Sequence, residues 1–210
     1  VTSYIAHHIF LERIRVLTGG VVAGVGALSL FGWIVGIDAL IRIIPAANAI
    51  NPTTAVCFIL LGSTFLFLKK AHGRIALLLG IIVAMIGALR LLESVGEFPF
   101  SIDLILLRDA VLAHEFPARM AQYTSVCFLF LGLIPLITAV KAMKRLRLCE
   151  ILSSLVFFFS VIALVQFLFE SFEFLTIPTF FFAAVHTALL FLVASAVAYA
   201  YFRERDEHSL

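Results

Sequence analysis

The chain has 210 residues, 63% of them apolar and only 13% charged, with 22 Phe and a mean hydropathy of +1.14. One soluble core of this size cannot hide that much apolar surface, so the composition excludes an ordinary water-soluble domain and predicts an all-α integral membrane protein. A formal net charge of +2 is too small to imply a nucleic-acid partner, and Cys57, Cys127 and Cys149, with no CxxC pair, point to neither a disulfide framework nor a structural zinc site.

In chain order, residues 1–15 are polar to amphipathic and predict a short juxtamembrane helix carrying His7, His8, Glu12, Arg13 and Arg15. Residues 16–37 are uncharged and exceed the roughly 20 residues that a helix needs to cross about 30 Å of hydrocarbon. Gly19, Gly20, Gly24 and Gly26 in this span would let a second helix approach closely. Trp33 near its far end suits the headgroup boundary. After a loop with Arg42 and Pro45, Asn51-Pro52 reads as an N-cap followed by proline at the first helical position. A short second span follows at 52–68, closed by the basic turn Lys69, Lys70, His72, Gly73 and Arg74.

The third span, 75–95, carries Arg90 and Glu93 three residues apart on one helix face, where they can pair. The longest loop comes next, and within it residues 102–114 mix Ile, Leu and Val with Asp103, Arg108 and Asp109. That mixture predicts an amphipathic helix lying on the outer membrane surface. The fourth span, 121–140, ends at Lys141, Lys144, Arg145 and Arg147. The fifth covers 151–169 and stops at Glu170, and the sixth starts at Pro178 and runs to 202. Residues 203–210 turn abruptly charged, as the start of a cytoplasmic linker would.

One stretch appears three times, beginning at Asn51, Ala121 and Ala184. Aligned on Thr54, Thr124 and Thr187, the copies are 124 − 54 = 70 and 187 − 124 = 63 residues apart. Self-similarity at such spacing means a repeated supersecondary unit. Here each unit is a two-helix hairpin, so the expected fold is six transmembrane helices in three tandem repeats. Arg13, Arg15, Lys69, Lys70, Arg74, the four basic residues after the fourth span, Arg203 and Arg205 all fall on alternate connections. They predict that both termini are cytoplasmic.

Ionisable groups inside a span cost about 2.5 to 3.5 kcal/mol at the centre, so Arg90, Glu93 and Glu170 call for an explanation. Interfacial snorkelling or a structural ion pair is the plain one. The functional one is a polar pocket in the outer leaflet, joined by Arg119. His186 takes the place of Thr53 and Tyr123 in the repeat, with Cys57, Cys127 and Leu190 one turn deeper. A ring of Thr, Tyr and His could hold a quinone or lipid-like ligand, or haem b through an imidazole, with His114 as the available partner for His186. A satisfied interior histidine is the plain alternative. Thr54, Thr124 and Thr187 suit packing. No Walker loop, HExxH or nucleophile elbow is present, so no catalytic site is expected in this chain.

The repeated Thr-Ala/Ser-x-Cys-Phe run in residues 51–62 and 119–132, the segment from Ser101 to Val111, and Val185-His-Thr-Ala-Leu189 together resemble the six-helix integral membrane sensor module at the N-terminus of many bacterial sensor histidine kinases and diguanylate cyclases. The resemblance spans essentially the whole chain. It implies a homodimer in the bacterial inner membrane, surrounded by lipid, whose last helix leads into a C-terminal cytoplasmic output domain. The expected function is therefore sensory input, passing a ligand or redox signal through the last helix. Alternatives are a haem-bearing redox or gas sensor, a small transporter, and a structural dimerising anchor.

Overall fold

A computed structural model describes residues 2–42, 49–68, 73–96, 101–113, 119–139, 145–170 and 184–207. These residues are all helical or irregular, with no strand among them. In order they form α1 (Thr2–Val35), α2 (Asp38–Ile41), α3 (Pro52–Phe67), α4 (Gly73–Val95), a 3-10 turn (Ile102–Leu104), α5 (Arg108–Ala113), α6 (Gln122–Ala139), α7 (Arg145–Glu170) and α8 (Val185–Glu207). Among the described residues, five stretches are long and apolar enough to cross a membrane: Ile9–Val35, Gly73–Val95, Gln122–Ala139, Leu146–Phe169 and Val185–Glu204. The helix Pro52–Phe67 is apolar but has only 16 residues. At 1.5 Å per residue it is about 24 Å long, short of the roughly 30 Å of a bilayer core.

The burial pattern has the inverted form expected in lipid. α1 hides Leu11, Arg15, Thr18, Val22, Ser29 and Trp33, a narrow mixed seam at steps of three, four and seven, while Leu17, Val21, Leu28 and Phe31 are exposed. In water such an exposed apolar face would drive aggregation. In hydrocarbon it costs nothing, and the seam is left to make the helix contacts.

The helices close into a ring. α1 packs chiefly on α3, α4 on α6 and α7 on α8, while α3 with α4, α6 with α7, and α1 with α8 complete the circuit. Of the five long stretches, those in α6 and α8 lie deepest, with 50% and 56% of their windows buried, against 33%, 28% and 28% for α1, α4 and α7, and α3 joins them at the centre. At the centre, the rings of Phe58, Phe128 and Phe191 touch one another in all three pairings, with centroids 5.0, 5.0 and 4.8 Å apart. All three are fully buried. Edge-on and tilted contacts at these separations are the favoured arrangement for aromatic rings.

Close approach of the paired helices depends on small residues seven positions apart. A Cβ on Gly19 would lie 2.8 Å from the Gly62 carbonyl oxygen, and one on Gly26 would lie 2.6 Å from that of Ala55. In the next pair, Gly80 faces the Gly132 oxygen at 2.7 Å and Gly87 the Ser125 oxygen at 2.6 Å. α7 has Ser153 and Ser160 at the same spacing, both fully buried, each turning its hydroxyl back to the carbonyl four residues earlier. Bonding its own backbone makes serine a small, nearly apolar contact residue.

Several expectations are corrected. The juxtamembrane helix expected at 1–15 is not a separate element, because no proline or glycine interrupts residues 2–18 and α1 runs through them. Gly36, at φ +77°, ends α1, and the Ile37 N–H bonds back to the Gly32 carbonyl at 2.9 Å. The Trp33 indole is turned into the protein. It is 5% exposed and donates its Nε1–H to the Ile50 carbonyl at 2.6 Å. The amphipathic surface helix expected at 102–114 is broken: Leu107 has φ +51°, in the left-handed region, so the 3-10 turn and α5 cannot be one helix. Ile102, Asp103 and Val111 turn inward instead. Residues 178–183 of the expected sixth span lie outside the described residues, as does His114.

Candidate functional site

The end of the bundle opposite Thr2 and Glu207, here called the distal end, is closed by α2, residues 49–51, the 3-10 turn and α5. The sequence makes an anchor there. The Asn51 side-chain oxygen accepts from the Thr53 N–H at 2.7 Å, with Pro52 at the first helical position, so the start of α3 is capped as expected. The same Asn51 donates its Nδ2–H to the Asp103 carbonyl at 3.3 Å, and the Thr53 hydroxyl donates to the Ile102 carbonyl at 3.1 Å. The cap of α3 thus also holds the 3-10 turn.

α4 supplies the other side. Arg90 and Glu93 do not pair with each other; both are committed to the crossing segment. Arg90 Nε lies 3.0 Å from Asp103 Oδ2, an ion pair whose N–H is angled away from hydrogen-bonding geometry, and the pair is almost fully buried. Glu93 Oε2 accepts the Ile102 N–H at 3.2 Å. The Met120 N–H, just ahead of α6, donates to Asp103 Oδ2 at 3.2 Å. Asp103 therefore ties together the capped start of α3, the end of α4 and the approach to α6, while its Oδ1 has no hydrogen-bond partner.

The electrostatics follow from this position. Burial lifts the Asp103 carboxyl from an ordinary 3.8 to about 6, with Arg90, the Met120 N–H and Arg119 pulling it down and Glu93 pushing it up. A carboxyl titrating near 6 beside two guanidinium groups can exchange a proton, or accept a hydrogen bond from a polar ligand, within the physiological range.

The expected site residues do not form one cluster. Arg90, Glu93 and Thr53 meet at the 3-10 turn, with exposed Arg119 close enough to act on Asp103. Cys57 lies one turn below Thr53 and fully buried, within electrostatic range of Asp103. Tyr123 and Cys127 are fully buried on α6 and belong to the central apolar cluster. His186, 7% exposed in the first turn of α8, hydrogen-bonds to the Ile41 backbone on the α2 side of the cap. Its Nε2 has no partner. Glu170 is the last residue of α7, and its side chain lies outside the described residues. Among the described residues no set of three His, Cys, Asp or Glu could hold a metal ion.

Asp103 is the residue that sequence reasoning passed over. Its signal was one carboxylate in the run Ile102-Asp103-Leu104-Ile105-Leu106-Leu107, assigned there to the wet face of a surface helix. No family model matches the chain, and no curated protein or solved structure matches it either.

Proposed function

We propose that the chain is the membrane-embedded sensory input module of a bacterial signal-transduction protein, a histidine kinase or diguanylate cyclase. In this reading six helices span the inner membrane as three tandem hairpins, α1 with α3, α4 with α6 and α7 with α8. Both termini are cytoplasmic, and two copies pair so that each α8 leads into an output domain. The short α3 counts as a span because a bilayer thins or adapts around a short helix at modest cost. The threefold meeting of Phe58, Phe128 and Phe191, at equivalent positions of the repeated stretch, supports this arrangement. So does the seven-residue spacing of small residues in α1, α4 and α7.

The observation that carries the sensory reading is the buried Arg90–Asp103 pair at the distal end of the bundle. Removing one partner of such a pair costs far more than the pair contributes, so the clamp responds sharply to anything that protonates or engages Asp103. A stimulus at the distal cap would favour a second packing of the hairpins, and α8 would carry the change to the output domain.

The test uses the full-length protein with its natural output domain and replaces Arg90, Glu93 and His186 singly. Arg90→Gln is expected to change the stimulus response, measured as kinase phosphorylation or cyclic dinucleotide production. Unaltered responses in all three variants would remove the distal cap from signalling. A haem reading rests on the orphaned Nε2 of His186 alone. An absorption spectrum of protein made with ample haem decides it, since a missing Soret band ends it.

A further inference from the structure

The opposite end of the bundle holds a second buried charge. Arg15, on α1, is 0% exposed. Its Nη2 donates to Glu12 Oε2 at 2.7 Å, and its guanidinium stacks over the Tyr201 ring of α8, 5.6 Å from the centroid. Tyr201 in turn donates its hydroxyl to Glu12 Oε1 at 3.2 Å. Nε and Nη1 of Arg15 are buried and reach no acceptor. Leaving several guanidinium N–H groups dry and unpaired is costly, so these atoms call for a partner that is not part of the chain.

A crevice of about 310 Å³, counting its open mouth, adjoins this guanidinium. Among the described residues, Arg15 is the one charged residue lining it. The rest of the wall comes from the ends of the three central helices, including Phe65 and Leu68 of the α3 end, Ile134 and Pro135 of α6, and Phe202 of α8. A cation with unfilled donors, set in an apolar cleft among helix ends, complements a ligand with an anionic oxygen group and a hydrocarbon tail.

We propose that Arg15 and this crevice form a binding site for a phosphate-bearing membrane lipid, with an acyl chain along the cleft and the phosphate on Arg15 Nε and Nη1, which the side chains around them must part to admit. A phosphate brings several acceptor oxygens to a guanidinium, and charge-assisted bonds of this kind are about twice as strong as neutral ones. Glu12 competes for the same cation. Lipid binding and the Glu12 contact that joins α1 to Tyr201 of α8 therefore oppose each other. The site lies away from the distal cap and does not rest on the sensory reading.

The test measures lipid retention by native mass spectrometry on the purified full chain, offered phosphatidylglycerol, phosphatidylcholine or inorganic phosphate. Phosphatidylglycerol is expected to be retained about tenfold over phosphatidylcholine, since the choline cation screens the phosphate from Arg15. Arg15→Met is expected to erase that preference, and Glu12→Gln, which keeps the guanidinium and frees Nη2, to raise phosphatidylglycerol retention severalfold. Equal retention of the two lipids overturns the proposal, as does inorganic phosphate displacing bound lipid completely at millimolar concentration, which would identify a soluble phosphate as the ligand. Should Arg15→Met fail to fold, Glu12→Gln decides, because unchanged retention in that variant also overturns it.

Discussion

Asp103 concentrates the energetics of the distal cap in one carboxyl. Its folded pKa of about 6 is above the ordinary 3.8, so between those values the folded chain holds a proton that the unfolded chain has released. Stability from this group is therefore fully present below about pH 4 and is lost as pH rises through about 6. A displacement of that size corresponds to about 3 kcal/mol. Asp103→Asn copies the protonated shape and removes the titration. Thermal unfolding in detergent should show wild type gaining on Asp103→Asn as pH falls from 7 to 4; parallel melting curves across that range would contradict the assignment. None of this was legible from local sequence, because the partners of Asp103 are 13 residues back at Arg90, 52 back at Asn51 and 17 ahead at Met120. Charge in an apolar run reads equally well as a wet helix face or a buried pair. Arg15 misled in the same way: polar neighbours suggested a solvated segment, while the step of four from Leu11 and three to Thr18 put it on the buried seam of α1.

At the scale of helices, what was readable came from long apolar runs and their end signals. Asn51-Pro52 marked the start of α3, and basic residues marked the ends of the spans, since both act within a turn of the helix they bound. The break at Leu107 was not readable, because a left-handed leucine carries no local signature and is held by the clamp on the 3-10 turn. Helix pairing gives a direct test. A Cβ on Gly62 would meet the Ala23 backbone nitrogen and lie 2.5 Å from the Gly19 oxygen, whereas one on Gly24 meets nothing within 4 Å. Gly62→Ala should therefore destabilise the chain by about 1 to 3 kcal/mol, as overpacking between backbones does. Gly24→Ala should be neutral or slightly stabilising, from helix propensity. Equal melting temperatures for the two variants would mean that α1 and α3 do not meet along this seam.

The whole bundle adds a test of the proposed threading. Cys57, Cys127 and Cys149 are all fully buried, so the native background for a membrane-impermeant thiol reagent is low. Asp109 is exposed on α5, and Glu207 ends α8. With six crossings, Asp109→Cys should react in intact spheroplasts, while Glu207→Cys should react only after lysis. Reaction of both in intact spheroplasts, or of Glu207→Cys alone, would defeat the six-span arrangement.

The phenylalanine triad at the heart of the molecule bears on permeation. Three mutually touching, fully buried rings fill the axis where the central helices converge. In the proposed threading, a plug of this kind would block an axial path for ions and protons. Trimming a ring to alanine would thin that barrier, and a proton leak in vesicles would be its electrical signature.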